Sequence, residues 1–148
     1  MEGNGADSGS GLDEALLRLI ARRLGELTLI ERVSVFPAAK PDSVVAQLDL
    51  QYFPARMDSV TLELRTYLDG TFYISYREEW NGESWMCRWD RHDNPHSTRD
   101  HFHEPPEART RDAVDRDYPS DFLGVIELVL DFVDQRLGEV WENERSDG

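Results

Sequence analysis

Two dipeptides, Asp69-Gly70 and Asn81-Gly82, constrain most of what this chain can fold into. Both are strong hairpin signals, because these residues tolerate the positive φ that tight antiparallel turns demand. The flanking residues alternate. Val60, Leu62 and Leu64 oppose Thr61, Glu63 and Arg65. Phe72, Ile74 and Tyr76 alternate across Thr71 to Trp80, and Trp85, Cys87 and Trp89 oppose Met86, Arg88 and Asp90. A period of two sends one set to a core and the other away from it. Upstream, Arg32 to Phe36 reads as a short strand closed by Pro37. Ser43 to Phe53 reads as another, with Val44, Ala46, Leu48, Leu50 and Tyr52 on one face and Pro54 at its end. The expectation is an antiparallel meander of four to five strands.

Helical spacing brackets this sheet. Leu12, Leu16, Leu17, Ile20 and Leu24 share one helical face, and Gly25 lies near its end. Phe122, Val125, Ile126, Val129, Leu130, Val133, Leu137 and Val140 form a broad apolar stripe, with Ser120 as the expected N-cap after Pro119. A stripe that wide predicts a long C-terminal helix packed on one face of the sheet. The fold class is therefore α+β. One domain over residues 12–142 is expected, between a disordered tail at 1–11 and a polar tail at 143–148. From Arg91 to Tyr118 no period is visible, and Pro95, Pro105 and Pro106 interrupt the segment. Loops of that length are usually functional or disordered.

Charge enters next. Thirty acidic residues face 16 basic ones, a net of -14, and Lys40 is the only lysine. Such a charge repels itself at low salt, and the penalty largely vanishes at molar salt, where the Debye length is about 3 Å. This composition points to a salt-adapted (halophilic) cytoplasm. Global charge then says nothing against a nucleic-acid partner; only local basic clusters are informative. The single cysteine, Cys87, excludes an internal disulfide framework. No apolar run approaches the roughly 20 residues of a membrane span, and the N-terminus lacks the basic and apolar regions of a signal peptide. The expected setting is cytoplasmic, without a membrane partner.

All four histidines, His92, His96, His101 and His103, fall within twelve residues, just after Arg88-Trp89-Asp90. One reading is acid–base chemistry: paired histidines exchange protons near neutrality, and an arginine stabilises charge on a phosphoryl group. RNA cleavage needs that set. In this reading His101 and His103 share a face if the segment is extended, His96 assists, Arg88 holds phosphate, and Asp90 orients a histidine. Tyr76, Arg77 and Trp89 would contact the substrate. A second reading is zinc on His-x-His plus a third histidine. However, Pro95 disfavours helix at Asn94, so His92 and His96 lose their i, i+4 geometry, and Cys87 points with Trp85 and Trp89. No metal or other cofactor is assigned. A third reading is a non-catalytic module binding protein or nucleic acid through the sheet and loop.

The run Tyr76-Arg77-Glu78-Glu79-Trp80, then Cys87-Arg88-Trp89-Asp90, Asn94-Pro95-His96 and His101-Phe102-His103, resembles the TumE-type toxin family of bacterial and archaeal toxin–antitoxin pairs. The resemblance covers about Leu48 to Trp141. Two departures stand out: His96 is followed by Ser97 where relatives often carry a second histidine, and the segment from His103 to Pro119 is longer and acidic. The resemblance implies a toxin neutralised by a small antitoxin, often a helix-turn-helix protein encoded beside it. The matching positions are Tyr76, Arg88, Trp89, Asp90, His96, His101 and His103.

Overall fold

A computed structural model of the chain describes residues 11–92 and 99–147. The expected N-terminal tail, apart from Gly11, and His96 lie outside the described residues. The elements run in the order α1 (Glu14–Gly25), β1 (Ile30–Val35), β2 (Val44–Leu48), β3 (Met57–Thr66), β4 (Phe72–Trp80), β5 (Glu83–Arg91), β6 (Asp100–His103), β7 (Val114–Asp115) and α2 (Phe122–Asp147).

The seven strands form one sheet in sequential order, each antiparallel to the next. The hairpin signals act as expected. Asn81 and Gly82 both adopt positive φ, at 43° and 90°, joining β4 to β5. Gly70, at φ 92°, closes the turn between β3 and β4, where Asp69 Oδ1 accepts from Thr71 N at 3.0 Å.

The count of four to five strands is corrected to seven. β6 and β7 have four and two residues, too few to display a period of two, and they lie among prolines and charges. They are strands because β5 offers an edge to pair with. The run expected to reach Phe53 also ends early, at Leu48. Asp49 Oδ1 accepts from Gln51 N at 3.1 Å and turns Leu50–Tyr52 into a 3-10 helix.

Asp13 caps α1 by accepting from Leu16 N at 3.1 Å, and Arg22 and Arg23 meet the negative end of the helix dipole. Leu17, Ile20 and Leu24 are buried against β1–β3. The cap of α2 is Asp121 rather than Ser120: its Oδ2 accepts from Gly124 N at 3.0 Å. Gly124 is required there, since a Cβ would lie 2.8 Å from the Pro119 ring. Phe132 of α2 packs on Tyr76, Trp85, Trp89 and Phe102, and Phe122 packs on Phe72. Ile20 and Leu24 of α1 line one groove with Ile126 and Leu130 of α2, so both helices cover the same face of the sheet. The helix α2 continues through residues 143–147, where a polar tail was expected.

Two ion pairs lie within this layer. Glu78, fully buried, receives Arg136 Nε and Nη2, both at 2.7 Å, together with Tyr76 Oη at 2.7 Å and Trp80 Nε1 at 2.8 Å. Arg91 grips Asp100 through Nε at 2.7 Å and Nη2 at 2.9 Å, and donates to the carbonyls of Tyr118 and Pro119. This second clamp fastens the segment leading into α2 to the start of β6.

The Arg91 guanidinium holds the Asp100 carboxyl below its ordinary value, against the opposing effect of burial. A depressed folded pKa contributes stability that is complete above the unfolded value of about 3.9 and is lost as pH falls through the folded value. The wild type will therefore melt above Asp100→Asn at pH 7. Thermal unfolding from pH 7 to 2 will show the gap narrowing below about pH 4. A gap independent of pH would show that the carboxylate's charge is not what stabilises the clamp.

Candidate functional site

The helices leave the other face of the sheet to polar residues, and strand register arranges these in two neighbouring rows. One row crosses five strands: Arg65 on β3 pairs with Tyr73 on β4, Tyr73 with Asp90 on β5, Asp90 with His101 on β6, and His101 with Asp115 on β7. The other is Glu63, Ser75, Arg88 and His103. Each row takes one residue per strand, so the spacing within it is set by strand separation, about 4.8 Å. Backbone rather than loop conformation holds these side chains together.

Asp90 is at the centre. It is 4 % exposed, and its two oxygens have different surroundings. Oδ2 accepts from His103 Nε2 at 2.7 Å. Oδ1 has no hydrogen-bond partner among the described residues. It lies 3.6 Å from His92 Nε2 and 3.6 Å from His101 Nδ1, beyond ordinary hydrogen-bond reach. His101 Nε2 lies 3.7 Å from Asp115 Oδ1. Guanidinium groups only donate, so Arg88 Nη2, 3.3 Å from His103 Nδ1, gives that ring a second partner. Arg109 O lies 3.2 Å from the same nitrogen. With both nitrogens engaged and only 3 % exposure, His103 fixes Asp90 in place.

Aromatic stacking supports the row. Arg65 lies over the Tyr73 ring at 5.3 Å, Tyr73 stacks on His92 at 6.3 Å, and His92 meets His101 at 5.3 Å between centroids. Burial first, then the Asp90 charge, pushes the Tyr73 phenol above its ordinary pKa, so it remains a proton donor. A depression of about 280 Å³ opens beside Asp90, lined by Glu63, Arg65, Tyr73, Ser75 and Arg88 among others.

The segment after β6 closes one side. Met86 N donates to Pro106 O at 2.8 Å, and Arg88 Nη2 donates to Thr110 Oγ1 at 3.2 Å. Residues 104–110 thus fold back on β5 beside Arg88.

Of the residues singled out from sequence, Arg88, Asp90, His101 and His103 come together here. The expectation of a loop from Arg91 to Tyr118 is corrected for its histidines at 101 and 103: both are strand residues, paired with Asp90 and Arg88. Tyr76 and Trp89 point to the opposite face, where they are 0 % and 3 % exposed beneath α2. Their alternation with Arg77 and Arg88 on the same strands requires this, and it turns their side chains away from the histidine face. Arg77 shares the polar face but lies beside Met86, one pleat repeat from Arg88, and is paired with Glu79. His92, Tyr73, Arg65 and Asp115 were not singled out as site residues. The two hairpin turns already place Arg65, Tyr73 and Asp90 in one row. Asp115 had no such signal, because β7 is invisible as a pattern.

A family model described as Toxin TumE matches residues 16–137, from α1 through most of α2, and so includes the whole of both rows. No curated protein and no solved structure matches the chain. Among the described residues, no helix is long and apolar enough to cross a membrane.

Proposed function

Because this chain belongs to the TumE toxin family, we propose that it is the toxin of a toxin–antitoxin pair and that it acts by cleaving RNA without a metal. Its partner in this reading is a small antitoxin protein. The observation that supports the chemistry is the meeting, on one rigid sheet face, of the Arg88 guanidinium with histidines arrayed about a buried carboxylate. Arg88 anchors a phosphodiester in the depression, with Arg65 at its far side. His101 and His92, each 3.6 Å from Asp90 Oδ1, serve as the acid–base pair. One takes the proton of the ribose 2′-hydroxyl as its oxygen attacks phosphorus. The other gives a proton to the departing 5′-oxygen as the P–O5′ bond breaks, leaving a 2′,3′-cyclic phosphate and a free 5′-hydroxyl. Asp90 and Asp115 flank His101 at 3.6 and 3.7 Å, and His103 orients Asp90.

The test is cleavage of a labelled RNA oligonucleotide by purified protein in chelator, at low and molar salt. The wild type is expected to cleave. Arg88→Ala is expected to be slower by about 10²- to 10³-fold, the usual loss for one donor to a charged transition state, with its circular dichroism unchanged. Intact RNA under all conditions, together with growth arrest on expression, would leave a toxin with a different target. Growth arrest that survives His101→Ala would favour a binding module over an enzyme.

A further inference from the structure

We infer that Asp90, His92 and His101 form a binding site for a divalent transition-metal ion of the zinc type, and that the ion inhibits the toxin. The separations carry this. A tetrahedral ion bonded at about 2.0–2.1 Å holds its ligand atoms about 3.4 Å apart. Asp90 Oδ1 lies 3.6 Å from His92 Nε2 and 3.6 Å from His101 Nδ1. The ligand atoms of the three residues all lie within 4.8 Å of one another. Those distances are too long for good hydrogen bonds and close to what co-ligands of one small cation adopt.

The second observation is independent of spacing. Asp90 Oδ1 is a buried carboxylate oxygen with no hydrogen bond among the described residues, directed at the two imidazoles. An unsatisfied buried charge of that kind is costly, and a cation between the three groups would satisfy it. The surroundings fit as well. Asp90 Oδ2 is oriented by His103, and Asp115 lies 3.7 Å from the outer nitrogen of His101, near enough to close onto it in the carboxylate–histidine arrangement that orients metal ligands and raises their basicity. One carboxylate oxygen and two imidazole nitrogens favour zinc-type ions over magnesium or calcium, which take oxygen ligands.

Inhibition rests on the ribonuclease reading above. An ion at this position takes up the lone pairs of His92 and His101, so neither can carry a proton. Metal binding itself does not depend on that reading.

Metal-free full-length protein in molar salt, which screens weak binding to the acidic surface, would be titrated with Zn2+ calorimetrically. Bound metal would be measured after dialysis, and the Co2+ complex examined for tetrahedral visible absorption. The expected result is one ion per chain. Loss of an orienting partner costs about 10- to 100-fold in affinity. Asp115→Asn should fall in that range, and His92→Ala, which removes a half-exposed ligand, should exceed it. Absence of stoichiometric uptake, or uptake indifferent to His92→Ala, overturns the site. If zinc binds and RNA stays intact with or without it, the site stands and the ribonuclease reading fails. If RNA is cleaved and zinc binds without slowing it, the inhibitory role is overturned.

Discussion

His101→Ala will, on the ribonuclease reading proposed above, abolish growth arrest and slow RNA cleavage by about 10²- to 10⁴-fold, the range for losing a positioned proton-transfer group. The ring is only about one tenth exposed, between Asp90 and Asp115. Its backbone is held by pairing with both neighbouring strands, and its carbonyl accepts from the Tyr118 hydroxyl. Removing the imidazole therefore leaves the strand's own fastenings in place, and the thermal midpoint should move little compared with the activity. Cleavage at wild-type rate by a folded His101→Ala protein would refute this role. His103→Ala is a different experiment. It removes the donor to a buried Asp90 oxygen, so any loss of activity would be confounded with loss of stability.

The largest effect on stability is expected at Glu78. Its carboxylate accepts four hydrogen bonds, from Arg136, Tyr76 and Trp80, and the Arg136 guanidinium lies 3.5 Å over the Trp85 ring. Glu78→Ala would leave the Arg136 cation buried between α2 and the sheet with only the exposed Glu139, 3.5 Å from its Nη1, as counter-ion, and a Tyr76 hydroxyl without its Glu78 acceptor. Breaking one side of a buried pair costs about 3–5 kcal/mol, a large share of the roughly 5–15 kcal/mol by which domains are stable. Denaturant unfolding should show that loss at Glu78→Ala and a much smaller one when Glu78→Leu is combined with Arg136→Met. Equal losses in the two proteins would mean that packing volume, rather than stranded charge, sets the cost. Burial and the neighbouring carboxylate raise the Tyr76 phenol well above its ordinary pKa, so it remains a donor at every working pH.

What could be read in advance follows from where backbone and side chain agree. Asn81-Gly82 and Asp69-Gly70 demand positive φ, and the strands beside them alternate, so β3, β4 and β5 were legible with their faces. Both helices were legible from their apolar stripes. The edge of the sheet was not. The four residues of β6, Asp100 to His103, are all buried, yet three of them are charged or titratable, so hydropathy reads them as surface. Their burial is supported by Arg91, Asp90 and Tyr118, which lie 9 to 18 residues away in the chain. The clustering of histidines in the sequence was informative, but the partition among them was not. Tyr76 and Trp89 share motifs with Arg77 and Arg88, and the pleat sends them to opposite sides of the sheet.

The sequential order of the strands also orders the life of the chain during synthesis. Each strand pairs with the one made just before it, so the first five can assemble while the rest is still emerging from the ribosome. The row that ends at Asp115 is complete only after β6 and β7 have been added at the growing edge. A nascent or truncated chain ending before β6 would carry Arg88 and Asp90 but neither His101 nor His103. The histidine face proposed as the active one is therefore assembled only once about three quarters of the chain has been translated.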